Sequence, residues 1–478
     1  MNKKIIVGLH VFCHDANIST YDLETKKFNY LKFERISGIK HESHSNLTDW
    51  LKYLEYLGYS KDNILHISLN NADKTFNDLE GKIDQNNWHI SDHHMNHSLS
   101  HKLPNSFVID GVGSNLESTS IIKNNFTIDR LLRKNNPGLG KTLNVCYNNF
   151  FPDQPCHPED GSGKIMALAA FGKRIDNLFK KEEFNLEMID KGYFFRNYGS
   201  KSFTEKSNFV HTLHEYYFDF YKEYLSNYFS TDEAFSLVGG VGHNIITNTK
   251  LKNLYPNLEA VPHCGDEGCS IGALRTLLRD WYEEDLEIDF DNLHQSDEDF
   301  GEASLPTIKK VAEYLAQGNI VLWGQGYGEI GPRALGNRSI LMNPGIKDAK
   351  EQINLKIKNR EWYRPYGASV LKSNYRDFFD LKWESPYMLY QAKVKDPGLF
   401  ASITHGDGTC RIQTVSNRKR PYYELLQEFE KLTGYPILLN TSLNSPGKPI
   451  VGTKKQARIM FDNSQADVLI IGNEILKK

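Results

Sequence analysis

Short β-branched runs that stop at aspartate-bearing or glycine-rich turns restrict this chain's fold more than any other feature. Ile5 to Val11 reads as a buried strand, Ala16 to Tyr21 as a second and, after turn residues from Asp22 to Lys27, Phe28 to Phe33 as a third. The three form a meander. Ser106 to Ile109 runs into Asp110-Gly-Val-Gly113, and Phe235 to Val238 into Gly239-Gly-Val-Gly242. Helical patterns lie between them, so the expected class is α/β.

A chain of 478 residues exceeds what one core fills, so at least two domains are expected. A hydrophobic share of 39% beside 24% charged residues excludes a disordered, collagen-like or coiled-coil chain. With 57 basic and 60 acidic residues the formal charge is −3, so no global field recruits nucleic acid or an anionic membrane, and any polyanion site must be local. Six cysteines without a CxxC pair fit free thiols in a reducing compartment. The N-terminal apolar run is interrupted by Gly8, His10 and Asp15, and no stretch of about 18 apolar residues occurs, so the expectation is a soluble cytoplasmic protein with no membrane partner. Residues 283–305 are acidic, lack apolar periodicity and are closed by Pro306, which reads as a linker. The expected division is 1–285, a linker 286–306, and a compact α/β unit over 307–478, with a helix from Ile308 to Ala316 and a strand from Ile320 to Trp323.

The sharpest chemical signal is Ser91-Asp-His-His-Met-Asn-His-Ser-Leu-Ser-His101. On a helix, its spacing puts His93, His97 and His101 on one face, where His93 and His97 can chelate a cation. Solvated surface histidines are the competing reading. Asp110 at a strand end and Asp266 in the turn Gly265-Asp-Glu-Gly268 add two carboxylates, and two imidazoles with two carboxylates suit a divalent first-row metal such as Fe or Zn. Taken alone, each aspartate reads as a helix cap or turn residue. The turns at His14-Asp15, Asp110 to Gly113 and Gly239 to Asn244 bring backbone N–H groups where they can line a nucleotide cleft. Meander, aspartate turn and double-glycine turn in that order resemble the actin-like ATPase fold.

The densest positive cluster is C-terminal. It comprises Arg333 and Arg338 in GPRALGNRS, Lys356, Lys358, Arg360 and Arg364 in LKIKNREWYRPY, and Arg411 in GTCRIQTV. Paired guanidinium donors bind phosphate oxygens, and several are needed to offset a triphosphate or an acyl phosphate. The alternative is a solvated basic face, but Trp362, Tyr363, Pro365 and Tyr366 are bulky neighbours for one. Asn440-Thr-Ser-Leu-Asn444 places small polar groups at another strand end, as donors to a phosphate or as a turn.

On these residues the sequence resembles the O-carbamoyltransferases of the nodulation-factor and antibiotic-tailoring type, nearly end to end. HDA (14–16), FER (33–35), KH (40–41), DHHMNH (92–97), DGVG (110–113), GKIMALAAFG (163–172), GGVGHN (239–244) and GDEGCSIGAL (265–274) look like that family's actin-like (ASKHA-type) domain of duplicated mixed sheets. GPRALGNRSIL (331–341), KNREWYRPYGASVL (358–371), DGTCRIQTV (407–415) and NTSLNSPGKPIV (440–451) look like its smaller YrdC-like domain. The family's HHxxHAAS becomes HHMNHSLSH, its EER becomes FER, and MNPG stands where an arginine is more usual.

The resemblance implies an ATP-dependent carbamoyltransferase. In the family, the smaller domain converts carbamoyl phosphate and ATP into carbamoyl adenylate and pyrophosphate. The actin-like domain then presents the carbamoyl group to an acceptor hydroxyl at a metal, with Fe expected, Zn or Mn as substitutes, and Mg accompanying ATP. Mapped here, His93, His97, Asp110 and Asp266 are the metal ligands, and Gly239, Gly240 and Asn244 lie near the nucleotide. Arg333, Arg338, Lys358, Arg360, Arg364, Arg411, Asn440 and Ser442 would bind carbamoyl phosphate and ATP, and His14 serves as general base or as a hydrogen-bonding partner of metal or acceptor. The acceptor is a hydroxyl on a sugar or natural product, or a hydroxymethylated base in DNA, for which Arg130 to Lys134 and Arg418 to Tyr423 offer basic and aromatic surface. Oligomeric state is open. Two other classes compete: a nucleotide-sensing actin-like protein without turnover, and a metal-dependent hydrolase.

Overall fold

The computed structural model describes residues 4–44, 48–71, 87–154, 156–179, 187, 189, 195, 197–282, 286, 288–289 and 293–478. The chain divides into two compact units, Met1–Tyr30 with His41–Phe290, and Leu31–Lys40 with Asp291–Lys478.

The first unit holds two five-stranded sheets. One contains β1 (Ile5–His10), β2 (Asn17–Asp22), β3 (Phe28–Lys32), β4 (Ile64–Asn71) and β5 (Trp88–Asp92) in the order β3-β2-β1-β4-β5. The other contains β6 (Ser106–Ile109), β7 (Glu117–Lys123), β8 (Phe126–Leu132), β9 (Phe235–Val238) and β10 (Leu258–Ala260) in the order β10-β9-β6-β7-β8. In each sheet the opening strand pairs antiparallel with the second and parallel with the fourth. The order third, second, first, fourth, fifth therefore occurs twice. This duplicated mixed α/β topology fits the actin-like expectation, and it brings the ends of β1, β5, β6 and β9 to the loops that carry the site.

Two glycines seat the helix Cys269–Leu277. A Cβ on Gly8 of β1 would lie 2.0 Å from the Ser270 carbonyl oxygen, and one on Gly272 would lie 1.9 Å from the Asn96 carbonyl oxygen. The helix therefore packs backbone-close against both β1 and the helix His93–Leu99.

The second unit is built on one nine-stranded mixed sheet, β14-β15-β16-β13-β17-β12-β11-β18-β19. Its strands are β11 (Val321–Gly324), β12 (Arg338–Met342), β13 (Gly367–Leu371), β14 (Phe379–Asp380), β15 (Tyr390–Val394), β16 (Thr409–Val415), β17 (Ile437–Ser442), β18 (Val468–Ile471) and β19 (Glu474–Lys477). Strand periodicity sorts side chains to two cores: Ile340 and Met342 face one, while Leu341 joins Val321 and Trp323 in the other. Ile308, Val311, Ala312 and Leu315 of the helix Leu305–Ala316 recur at helical spacing and close the second core together with Leu425, Leu426 and Phe429 of Tyr422–Thr433.

The acidic stretch departs from the linker reading over its described part. Residues 283–285, 287 and 290–292 lie outside the described residues. Gln295, Asp297, Phe300 and Ala303 are buried, and His294 bridges to Glu329. Composition misleads here because the acidic residues meet partners inside the second unit: Asp297 accepts the Gly328 N–H at 2.8 Å and faces Arg338 at 3.7 Å. Among the described residues, no helix is long and apolar enough to cross a membrane.

Candidate functional site

The first unit gathers the predicted ligands from three chain segments. Asp92, at the end of β5, caps the helix His93–Leu99 by accepting the Met95 N–H at 2.9 Å, so one helical turn brings the Nε2 atoms of His93 and His97 to 3.2 Å. Asp110 follows β6. Its Oδ1 accepts the Gly240 N–H at 2.8 Å, and its Oδ2 stands 2.9 Å from His93 Nε2 and 3.7 Å from His97 Nε2. Asp266 opens a tight turn, with Oδ1 3.6 Å from His93 Nε2 and 3.4 Å from His97 Nε2. All four side chains are buried. His101 does not join them, because it lies past the helix end and pairs with Glu259 at 3.3 Å.

These groups titrate as one set. Burial disfavours charge on Asp110, but His93 and His97 outweigh it and hold the carboxyl well below the usual range. Burial likewise opposes charge on Asp266, yet His14 and His93 keep it ionised. Conversely, burial works against a charged His93, while Cys269 and Asp266 lift it to about 10. Two buried carboxylates that demand positive charge from converging imidazoles make a donor set suited to a divalent cation.

Several residues of this centre carry no motif signal. His10, at the end of β1, stands 3.3 Å from Asp266 Oδ2, and Asn70 lies 2.6 Å from His10 Nδ1 and 3.0 Å from His93 Nδ1. Cys269 lies within 3.8 Å of both His93 and His97. A histidine at a buried strand end was the only available hint for His10, while nothing in the sequence points to the asparagine or the thiol. His14 Nδ1 is 2.9 Å from Asp15 Oδ2, and Asp15 Oδ1 is 3.1 Å from His41 Nδ1. His14 Nε2 then faces Asp266 at 3.6 Å and Glu159 at 3.7 Å. Burial lowers its basicity, but Asp266, Asp15 and Glu159 raise it well above an ordinary imidazole.

The double-glycine turn does structural work. Gly239 has φ 90°, and a Cβ there would lie 2.2 Å from the Ile109 carbonyl oxygen, so only glycine lets the next amide reach Asp110. Asn244 departs from the nucleotide assignment. Its Oδ1 accepts the N–H groups of Ile246 and Thr247, and its Nδ2 donates to His214 Nε2 at 3.1 Å. A helix start needs such a cap, which explains an asparagine at this position without a ligand. Burial keeps His214 neutral, down to about 4. The folded state therefore resists a proton that the unfolded chain takes up near 6.5. Stability is complete above that value and should fall, by on the order of 3 kcal/mol, as pH drops from 6.5 toward 4. Urea midpoints across that range should show this slope, and His214→Gln should flatten it.

In the second unit Arg333, Arg360, Arg364 and Arg411 are electrostatic neighbours. Burial lowers Arg411 first, then the charges of Arg333 and Arg360; Arg360 is pulled down to about 10 by burial and Arg364. Burial, Arg360, Arg364 and Lys40 likewise hold Lys358 well below the usual lysine range. Lys358 Nζ donates to the Ser442 carbonyl at 2.5 Å, the Asn444 carbonyl at 2.9 Å and Asn444 Oδ1 at 2.7 Å, and Ser442 Oγ donates to Asn444 Oδ1 at 2.6 Å. Lys358 and Ser442 thus clamp the turn after β17.

Arg338 and Asn440 depart from the phosphate-binding assignment. Arg338 is fully buried, stacks 3.6 Å above the Phe300 ring, and donates to the carbonyls of Gln325 at 2.6 Å, Glu298 at 2.8 Å and Gly326 at 2.9 Å. It ties the acidic stretch to the sheet. Asn440 Nδ2 donates to Ser369 Oγ at 2.9 Å and the Ala334 carbonyl at 3.2 Å. In the two runs that offer basic surface for a nucleic-acid strand, Arg130 pairs with Asp92 at 3.0 Å and Glu117 at 2.6 Å, and Arg420 pairs with Glu424 at 3.4 Å.

This cationic cluster falls in the stretch, residues 312–478, that matches the family model described as carbamoyltransferase C-terminus. The chain is 36% identical over 268 residues to the nodulation protein NolNO of Sinorhizobium fredii, covering 51% of this chain and 39% of that protein. It is 35% identical over 160 residues to a 3'-hydroxymethylcephem-O-carbamoyltransferase of Amycolatopsis lactamdurans, covering 33% and 31% respectively. Residues 312–478 thus carry a carbamoyltransferase C-terminal domain, and the chain is similar to these proteins over the aligned stretches. It spans less than half the length of either relative. The solved (R)-2-hydroxyglutaryl-CoA dehydratase component A of Acidaminococcus fermentans aligns at TM-score 0.38 and 13% identity, over 57% of this chain and 96% of that one, too low to bear on the fold.

Proposed function

We propose that the chain is an ATP-dependent O-carbamoyltransferase acting in two steps. The observation that carries this reading is the gathering of Arg333, Arg360, Arg364 and Arg411 inside the family-matched stretch, where burial and neighbouring cations lower Arg411 and Arg360 although Glu361 pairs with Arg364 at 3.3 Å, an excess of positive charge that a bound polyanion would offset. In the first step, water releases carbamate and phosphate from carbamoyl phosphate. A carbamate oxygen then attacks the α-phosphorus of ATP, and pyrophosphate leaves. The four arginines bind the phosphate oxygens and offset charge on the leaving group. The nine-stranded sheet that supports them would be the YrdC-like element.

In the second step, an acceptor hydroxyl attacks the carbamoyl carbon and AMP departs. His14 serves as the general base once a cation on Asp266 offsets the carboxylate charge that raises its basicity: Asp15 fixes its Nδ1–H, and Nε2, then neutral, takes the hydroxyl proton. The Gly240 amide and the open backbone at Gly239 hold Asp110 in place at the end of β6. His93, His97, Asp110 and Asp266 would hold a divalent cation, Fe or alternatively Zn or Mn, which when bound supplies a Lewis acid beside the transferred group. The acceptor is a sugar or natural-product hydroxyl, or a hydroxymethylated base in DNA.

Purified protein given carbamoyl phosphate and ATP should release pyrophosphate only when both are present, and mass spectrometry of offered acceptors should show one added carbamoyl group. Pyrophosphate release that ignores carbamoyl phosphate overturns the proposal.

A further inference from the structure

The four expected ligands leave a buried thiol of the same centre unused. Cys269 is the first residue of the helix Cys269–Leu277 and has no exposed surface. Its Sγ lies 3.7 Å from His97 Nε2, 3.8 Å from His97 Nδ1 and 3.8 Å from His93 Nδ1. The placement is not loose. Gly272, one turn along, abuts the Asn96 carbonyl, and Gly8 abuts Ser270, so neither helix can slide to carry sulfur away from the imidazoles.

We propose that Cys269 is a thiolate ligand of the cation held by His93, His97 and Asp266, giving a mixed nitrogen, oxygen and sulfur donor set. The inference rests on the metal reading above. Donor atoms of His93, His97, Asp266 and Cys269 all lie within 4.8 Å of one another. A tetrahedral site with metal–nitrogen distances of about 2.0–2.1 Å and metal–sulfur of about 2.3 Å has nitrogen–nitrogen edges of roughly 3.3 Å and nitrogen–sulfur edges of roughly 3.6 Å. The observed edges are 3.2 Å between the two Nε2 atoms and 3.7 Å from His97 Nε2 to Sγ. Asp266 Oδ1 stands 3.6 Å from His93 Nε2 and 3.4 Å from His97 Nε2. Those four edges lie at ligand spacing, while the sulfur stands beside both nitrogens of His97 and Nδ1 of His93, so joining it to a cation at the two Nε2 atoms takes a rotation of the Cys269 side chain. The bland reading, a thiol donating a weak hydrogen bond to an imidazole, accounts for one contact but not for four donors at mutual ligand spacing.

A sulfur ligand changes which ion the site selects. Thiolate favours Zn, Fe and Co over the hard ions Mg and Mn, which take carboxylate and water. Asp110, anchored by the Gly240 amide, then serves as a further oxygen donor.

The test is spectroscopic. Chelator-stripped full-length protein is titrated with one equivalent of Co(II), and bound cobalt is quantified. The expected result is a near-ultraviolet thiolate-to-cobalt charge-transfer band that disappears in Cys269→Ser and persists in Cys13→Ser, whose sulfur groups with His14 and Asp266 instead. X-ray absorption at the zinc edge of the wild-type protein should show a sulfur shell at about 2.3 Å, which decides the matter if the serine variant fails to fold. Stoichiometric cobalt without the band, or a band lost only in Cys13→Ser, overturns the assignment. Either result leaves the transferase reading standing, because pyrophosphate release from carbamoyl phosphate and ATP tests that separately. Wild-type protein that binds no cobalt overturns both the thiolate and the metal centre.

Discussion

Asp266→Asn should lower carbamoyl transfer to the acceptor roughly 1,000-fold while leaving the first turnover of pyrophosphate within about twofold of wild type. Asp266 meets His10 at 3.3 Å, His14 at 3.6 Å, His93 at 3.6 Å and His97 at 3.4 Å. An amide removes the charge these imidazoles share and turns an N–H toward donors, so cation affinity is lost. The arginines proposed to bind phosphate belong to the other compact unit. Quenched-flow measurement of pyrophosphate beside mass spectrometry of the acceptor separates the two steps. Equal loss of both would mean that activation and transfer are not divided as proposed.

Arg360→Met should act in the opposite place and with opposite signs on activity and stability. Adenylate formation should fall at least about 100-fold, the usual cost of removing one well-placed donor to developing charge. The unliganded protein should gain roughly 0.5–2 kcal/mol. Arg360 is itself lowered by burial and by Arg364, and its charge in turn lowers Lys358 and Arg411. Removing it relieves like-charge repulsion, and a methionine keeps the aliphatic packing near Tyr366. Urea denaturation of both proteins, with and without ATP, checks the prediction. A variant that is both inactive and less stable would show that Arg360 holds the fold rather than the substrate.

The local readings that succeeded rest on period and capping. The four-residue spacing of His93 and His97 after a capping aspartate defines one helical face whatever surrounds it, and β-branched runs such as Ser106 to Ile109 become strands for the same local reason. The readings that shifted involve residues whose chemistry serves two purposes. Arg338 and Arg360 look alike in a motif, yet one is enclosed by backbone carbonyls and the other stands among cations. Asn244 is suited both to a nucleotide and to a helix start, and the free N–H groups of Ile246 and Thr247 decide between them. The acidic stretch looked solvated because composition counts charges without their partners, and Arg338 is the partner of Asp297.

The strands that open near Ile5, Asn17, Phe28, Ser106 and Phe235, the helical histidine pair, the aspartates at strand ends and the concentration of arginines near the C-terminus were determined by the sequence alone, since each depends on neighbours within a few residues. Tertiary structure decided which of those groups converge. His10, Asn70 and Cys269 reach the histidine pair only because β1, β4 and the helix Cys269–Leu277 pack against it, at close approaches opened by Gly8 and Gly272. A side chain's partners across the chain are set by packing, and no local pattern records them.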